Sequence, residues 1–277
     1  PRKIVVHARA VVIACGAVQT PVLLGRHRLG RPSGQLGKNF TCHPNAKVLA
    51  VYPQRVDGWK GVSQAGQIRE LRDEGILFAE NMVSPGALVS QLPFHGAPLW
   101  DLMAHYNHMV LSGVLVEDST TGSVRPGPFG SAVARYDITA HDHERFLRGT
   151  RKLAQMHFEM GAERVVLPFS TLHEAREPDD LRKITPLRCP IESLDLFTVH
   201  LMGTARMGGR ADRSVTDTAG QLWDLPGCYV ADASLFPSAV GVNPQLTIMA
   251  LASRVAERLT LPTSRSKPRV EALSIPR

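Results

Sequence analysis

Residues 200–259 run HLMGTARMGGRADRSVTDTAGQLWDLPGCYVADASLFPSAVGVNPQLTIMALASRVAERL. A histidine precedes the Gly203-Thr204 turn, and Tyr229–Asp232 reads as a short apolar strand ending in a carboxylate. Asn243-Pro244 then opens an amphipathic helix with Ile248, Ala252, Val255 and Leu259 on one face. Asn is a favoured helix cap and Pro a favoured first residue. Taken singly, these residues have ordinary readings. A lone histidine in an apolar segment is more often a packed core residue than a catalyst. No second ligand stands three or four residues from His200, so a metal site is a poor reading. Asp232 is either a turn former or helix cap, or a carboxylate at the carboxyl end of a parallel strand, where open α/β sheets bind ligands. Asn243 either caps its helix or marks an N-terminus whose free N–H groups and positive dipole end face an electron-rich group.

The beginning of the chain has a related architecture. Ile4–Val6 and Ala10–Ala14 read as strands, the second a continuous apolar run as expected for a strand covered on both faces. Cys15-Gly16-Ala17 is a tight exit, and Thr20-Pro21 is the expected start of a short helix. Strand, small-residue turn and helix form the unit that doubly wound nucleotide-binding sheets repeat. The Gly/Pro-punctuated segment 31–44 reads as a domain crossing.

The middle differs from both ends. Strands are expected at Ala46–Tyr52, Ile76–Met82, Met109–Val116, Ser131–Tyr136 and Val165–Leu167, with a turn at 120–123. Thr139 and Asp142 form a capping box that opens a helix ending at Gly161. Residues 84–100 carry no charge, and the polar segment 173–188 reads as surface. The fold class expected is α/β (α+β overall): an incomplete, Rossmann-like nucleotide-binding domain with an inserted antiparallel-sheet substrate domain. The expected boundaries are 1–38 and 196–262 for the first domain, 39–195 for the insertion and 263–277 for a disordered tail.

At 277 residues, 43% apolar and 21% charged, the chain can bury one large or two modest cores. Its 32 Lys and Arg exceed its 25 Asp and Glu by seven. They are spread along the chain, which favours a solvated basic surface over a nucleic-acid footprint. The four cysteines are far apart and show no CxxC spacing. This disfavours a zinc site or a disulfide framework and leaves a cytoplasmic location as the expectation, with peripheral membrane attachment as the alternative. No apolar run reaches the roughly 18 residues of a membrane span.

Read together, His200, Gly203-Thr204, Met207-Gly208, Val230–Ser234, Pro237 and Gly241-Val242-Asn243-Pro244 with Thr247 resemble the C-terminal part of the glucose–methanol–choline (GMC) FAD-dependent oxidoreductases. Gly16-Ala17, Thr20-Pro21 and Leu23-Leu24 with Leu29-Gly30 resemble that family's second signature, and Gly37, Asn39 and His43-Pro44 the loop after it. Trp223 and Ser238–Pro244 look most like the long-chain (fatty) alcohol oxidase branch. Ala205 departs from that branch's usual Cys, and His27-Arg28 from the signature's usual Ser-Gly.

The resemblance implies FAD as cofactor and an alcohol, of apolar or long-chain character, as substrate. His200 would be the base for the hydroxyl proton, and Asn243 would orient the substrate oxygen. Gly16, Ala17, Asp232, Ala233, Asn243, Pro244 and Thr247 match cofactor-contacting positions. Electrons would pass to oxygen or to a carrier or quinone. The alternatives are a sterol or sugar dehydrogenase of the same family, or a truncated or split subunit that binds a partner. The family's GxGxxG phosphate turn is absent from this sequence, so an N-terminal FAD-binding segment would be needed, and the chain alone is expected to purify colourless.

Overall fold

The computed structural model describes residues 3–62, 64–259 and 270–273. Strands β1 (Lys3–Val6) and β2 (Val11–Ile13) lead into helix α1 (Gly16–Arg26), and then to β3 (Lys38–Phe40) and β4 (Asn45–Val51). Next come β5 (Gln67–Ile68) and β6 (Ile76–Glu80), the short helices α2 (Pro85–Val89) and α3 (Ala97–Met103), and β7 (Met109–Val116). Strands β8 (Gly122–Pro126) and β9 (Ala132–Arg135) precede the long α4 (Ala140–Glu159), followed by β10 (Arg164–Phe169) and β11 (Leu172–Ala175). The chain returns through β12 (Cys228–Val230) and α5 (Gln245–Arg258), and β13 (Val270–Leu273) pairs antiparallel with β1.

Two layers position the site. The first is a six-stranded antiparallel sheet in the order β11-β10-β4-β7-β6-β5. Alternation along β4 sends Ala46, Val48 and Ala50 to one face, where Phe146, Leu147, Leu153 and Ala154 of α4 cover them. The Thr139–Asp142 capping box satisfies the start of α4 from both sides, with Asp142 N–H donating to Thr139 Oγ1 at 3.0 Å. The opposite face carries Leu49, Val51, Met109 and Leu111 under Leu88, Leu92 and Leu102 from the 85–103 region. The uncharged segment 84–100 therefore folds largely as a roof over this sheet.

The second layer joins the ends of the chain. β2 pairs in parallel with β12, in the register Val11↔Cys228, Val12↔Tyr229, Ile13↔Val230. Leu24 of α1 and Val255 of α5 pack in one cluster with Ile13 and Val230. Parallel neighbours need a crossover, and here the crossover contains the whole six-stranded sheet.

Four expectations are corrected. Helix α1 starts at Gly16 rather than Thr20, with Pro21 in its interior. Proline cannot donate to the carbonyl four residues back. The Thr204 hydroxyl supplies the missing bond, donating to the Ala17 carbonyl at 2.6 Å. Thr204→Val would leave that buried carbonyl without its donor. It should lower unfolding free energy by about 1–3 kcal/mol, read by urea denaturation; an unchanged midpoint would show that the helix tolerates Pro21 unaided.

Val11 and Val12, expected to be covered on both faces, are 53% and 46% exposed, whereas Ile13 and the partner residues Cys228 and Val230 are buried. Residues 122–126, where a turn was expected to extend through Ser123, are strand β8, paired with β3 and β9. Segment 173–188 is not purely surface: Ala175, Leu181 and Ile184 join the core under α4. Of the tail expected to be disordered, residues 263–269 and 274–277 lie outside the described residues, and 270–273 form β13.

Candidate active site

Two antiparallel bridges, Thr41↔Met202 and Asn45↔Phe197, lay segment 197–202 against segment 41–45. That pairing brings His200 beside His43, with ring centroids 5.8 Å apart in an edge-to-face arrangement. Gly203 follows at φ +88°, where a Cβ would lie 2.2 Å from the Asn39 carbonyl oxygen. No side chain fits there, which explains a glycine three residues after the histidine.

His43 ties the last part of the site to the first. Its backbone takes the left-handed conformation, φ +40°. The Asp118 carboxylate holds the turn, accepting from the N–H groups of Cys42 and His43 and from the Tyr136 hydroxyl. His43 Nε2 accepts from the backbone N–H groups of Val240 and Gly241, at 3.3 and 3.0 Å. An accepting Nε2 makes the ring a neutral Nδ1–H tautomer. Burial pushes the His43 pKa below its ordinary value, against the pull of Asp118 and Glu117. His43 thus anchors the turn that delivers Asn243.

Asn243 Oδ1 accepts from Gln67 Nε2 of β5 at 2.8 Å, which leaves Nδ2 facing His200 Nε2 at 3.4 Å. The amide does not cap α5, whose cap residue is the buried Pro244. The first bond closing that helix runs from Ile248 N–H to the Pro244 carbonyl. The N–H groups of Gln245, Leu246 and Thr247 are therefore left without intrahelical acceptors. His200 has its pKa pushed down to about 4 by burial first, then by competition with neighbouring His43 for a proton and by the positive charge of Lys47. At neutral pH it is an uncharged proton acceptor next to an amide donor. A substrate hydroxyl could donate to one and accept from the other.

The remaining expected residues gather around the β2–α1 turn. Gly16 has φ +78°, and nothing lies within 4 Å of the position a Cβ would take. Ala17 and Ala233 are buried, and the Ala233 carbonyl accepts from Gly203 N–H at 3.0 Å. Asp232 turns inward. Its carboxylate accepts from Gly16 N–H, the Thr20 hydroxyl, and both the N–H and hydroxyl of Ser234. The side chain clamps the turn, and what the turn offers outward is backbone. Gln67, Asp118 and Lys47 were not singled out from the sequence. They sit in the middle of the chain, where no spacing marks them, and only the sheet pairing brings them near His200. His43 was visible as part of a motif but without a role.

Two models of the family described as GMC oxidoreductase match this chain, the N-terminal one over residues 1–45 and the C-terminal one over 119–252. An uncharacterized GMC-type oxidoreductase of Mycobacterium tuberculosis is 34% identical over 258 residues, covering 91% of this chain and 40% of that protein. A long-chain-alcohol oxidase of Arabidopsis thaliana is 27% identical, covering 90% of this chain and 36% of that protein. Among solved structures, a formate oxidase variant of Aspergillus oryzae superposes with a TM-score of 0.63 at 15% identity, covering 90% of this chain and 53% of that one. A fungal aryl-alcohol oxidase gives 0.54 at 17% identity, covering 90% and 54%. The fold is shared with these solved oxidases. The chain belongs to the GMC oxidoreductase family, and it spans about 40% of the length of the first curated relatives it matches.

The family implies a flavin, and the residues present fit one end of it. The unpaired N–H groups of α5 suit the part of a flavin that gathers negative charge. The open space at Gly16 permits close backbone approach.

Proposed function

We propose that this chain carries the alcohol-handling half of an FAD-dependent oxidoreductase that converts a CH–OH group to a carbonyl, with an apolar primary alcohol as substrate. The observation that carries this reading is the donor–acceptor pair of Asn243 Nδ2 and His200 Nε2, 3.4 Å apart at the start of α5. A bound flavin would supply the acceptor for the carbinol hydride. His200 accepts the hydroxyl proton at Nε2, and its depressed pKa keeps that lone pair free. Asn243 donates to the substrate oxygen and fixes its direction, while Gln67 holds the amide in that orientation. His43 keeps the 240–243 turn in place. Gly16, Ala17, Ala233, Pro244 and Thr247 would hold the cofactor through backbone and close packing, with Asp232 shaping the turn from behind.

The apolar character of the substrate is supported by the leucine-rich wall of a cavity of about 350 Å³, formed by Leu49, Leu88, Leu92, Leu111, Val166 and Leu167, with Lys47, Ser90, Gln91 and Asp195 as its polar lining. The names of relatives agree: long-chain-alcohol oxidase in Arabidopsis thaliana and aryl-alcohol oxidase in a fungus. A C-glycoside 3-oxidase of Arthrobacter globiformis is also 28% identical, which makes sugars the competing substrate class. The test is anaerobic flavin bleaching in the flavin-loaded full-length protein, with C8–C16 primary alcohols set against glucose and a sterol. The alcohols should bleach at least about tenfold faster, the discrimination an apolar pocket offers. Faster bleaching by glucose or the sterol would overturn the substrate class, and no bleaching by any of them would overturn the activity.

A further inference from the structure

The face of β4 that turns away from α4 presents Asn45, Lys47, Leu49 and Val51 in alternation. Leu49 and Val51 pack among leucines and methionines. Lys47 is out of place in such a row. Its Nζ is buried and, among the described residues, without a hydrogen-bond partner. The Phe197 ring, centred 5.4 Å from Nζ, is a weak substitute for a counter-ion. Directly across the sheet stands Gly113, itself opposite Ala79. No large side chain from those two positions crowds the lysine. Asn45 Oδ1, two residues away on the same face, is likewise buried and unpartnered.

The position of Lys47 gives this mismatch a use. Lys47 and Phe197 line both the large leucine-rich cavity, whose polar lining includes Gln91 and Asp195, and a smaller one lined by His200 and Asn243. They stand where a substrate would pass from its reacting end to its apolar chain. Burying an unpaired ammonium is costly, and burial lowers the Lys47 pKa to about 8. At neutral pH the group keeps most of its charge.

We propose that Lys47 is a substrate-anchoring residue that takes a carboxylate, so that the preferred substrate is an apolar alcohol that also carries a carboxylate group. Lys47 donates to the carboxylate at the boundary of the two cavities, Asn45 Oδ1 accepts from a substrate donor beside it, and the aliphatic chain occupies the leucine-rich cavity. This deepens the alcohol-oxidation reading and rests on it for the second functional group, the hydroxyl.

The test needs neither flavin nor turnover, so its failure is distinct from a failure of the proposed activity. Octanoate, octan-1-ol and acetate are titrated calorimetrically into the 277-residue chain and into Lys47→Met, which keeps the apolar stem and removes the charge. The expected result is octanoate binding that weakens at least about tenfold in Lys47→Met, with octan-1-ol affinity changed less than about twofold and acetate binding weak in both. Octanoate binding equally well to both proteins would overturn the proposal. So would an equal loss of octanoate and octan-1-ol binding, which would mean that the substitution merely damages the cavity. Failure of octanoate to bind the unsubstituted chain would also overturn it.

Discussion

His200→Ala should slow alcohol-dependent flavin bleaching in the flavin-loaded protein by about a hundredfold or more, the usual loss on removing a general base. The physical reason lies in the site. His200 Nε2 is the acceptor that faces the Asn243 amide, and burial, with His43 and the charged Lys47 as neighbours, holds its pKa at about 4. An imidazole whose pKa is lowered stays neutral as pH falls from 7 and protonates only near 4. The pH profile of the intact protein should therefore be flat through neutrality and bend downward on the acid side near pH 4. Lys47→Met removes the charged neighbour and should move that bend to higher pH. The folding cost of His200→Ala is small by comparison, because among the described residues the side chain's one hydrogen-bond contact is the 3.4 Å approach to Asn243. A melting temperature lowered by no more than about 4 °C would separate lost chemistry from lost structure. An unchanged bleaching rate would remove His200 from the mechanism.

Asp232→Ala has the largest expected effect on stability. Four donors converge on this carboxylate, and two of the residues supplying them, Thr20 and Ser234, are fully buried. Removing the acceptor strands these groups at about 1–3 kcal/mol each. With partial relaxation the chain should lose about 4 kcal/mol of unfolding free energy, measured by urea denaturation in the absence of flavin. The loss should follow the β2–α1 turn, since Gly16 N–H is one of the four donors. A variant as stable as the parent would show that Asp232 serves a ligand rather than the fold.

The elements legible in the sequence were those whose signal is local. Met109–Val116 stands as a strand with the bounds its apolar run implies. The Thr139–Asp142 pair opens α4 through hydrogen bonds between residues three apart, so no distant partner was needed. Helix α1 was misjudged at its start because the rule that places Pro at a helix N-terminus assumes the helix must solve its own hydrogen bonding. Here Thr204 solves it from 187 positions away. Leu181 and Ile184 were taken for surface because isolated apolar residues in a charged segment carry no period, although α4 and the sheet bury them.

The order of His200, Asp232 and Asn243 is a property of the sequence alone, and with Gly16-Ala17 it was enough to identify the family and the fold class. Local chemistry and spacing also determined most strands and the long helix. The roles of those residues were decided by tertiary structure. Asp232 became a clamp because Gly16 and Thr20 of the β2–α1 segment point donors at it beside its neighbour Ser234, and Asn243 turns its amide nitrogen toward His200 because Gln67 takes its oxygen. His43 and Lys47 acquired meaning only when the 41–45 and 197–202 segments paired. A side chain's type is written locally, but its free hydrogen-bonding capacity is what remains after distant neighbours have been satisfied, and only the folded chain performs that subtraction.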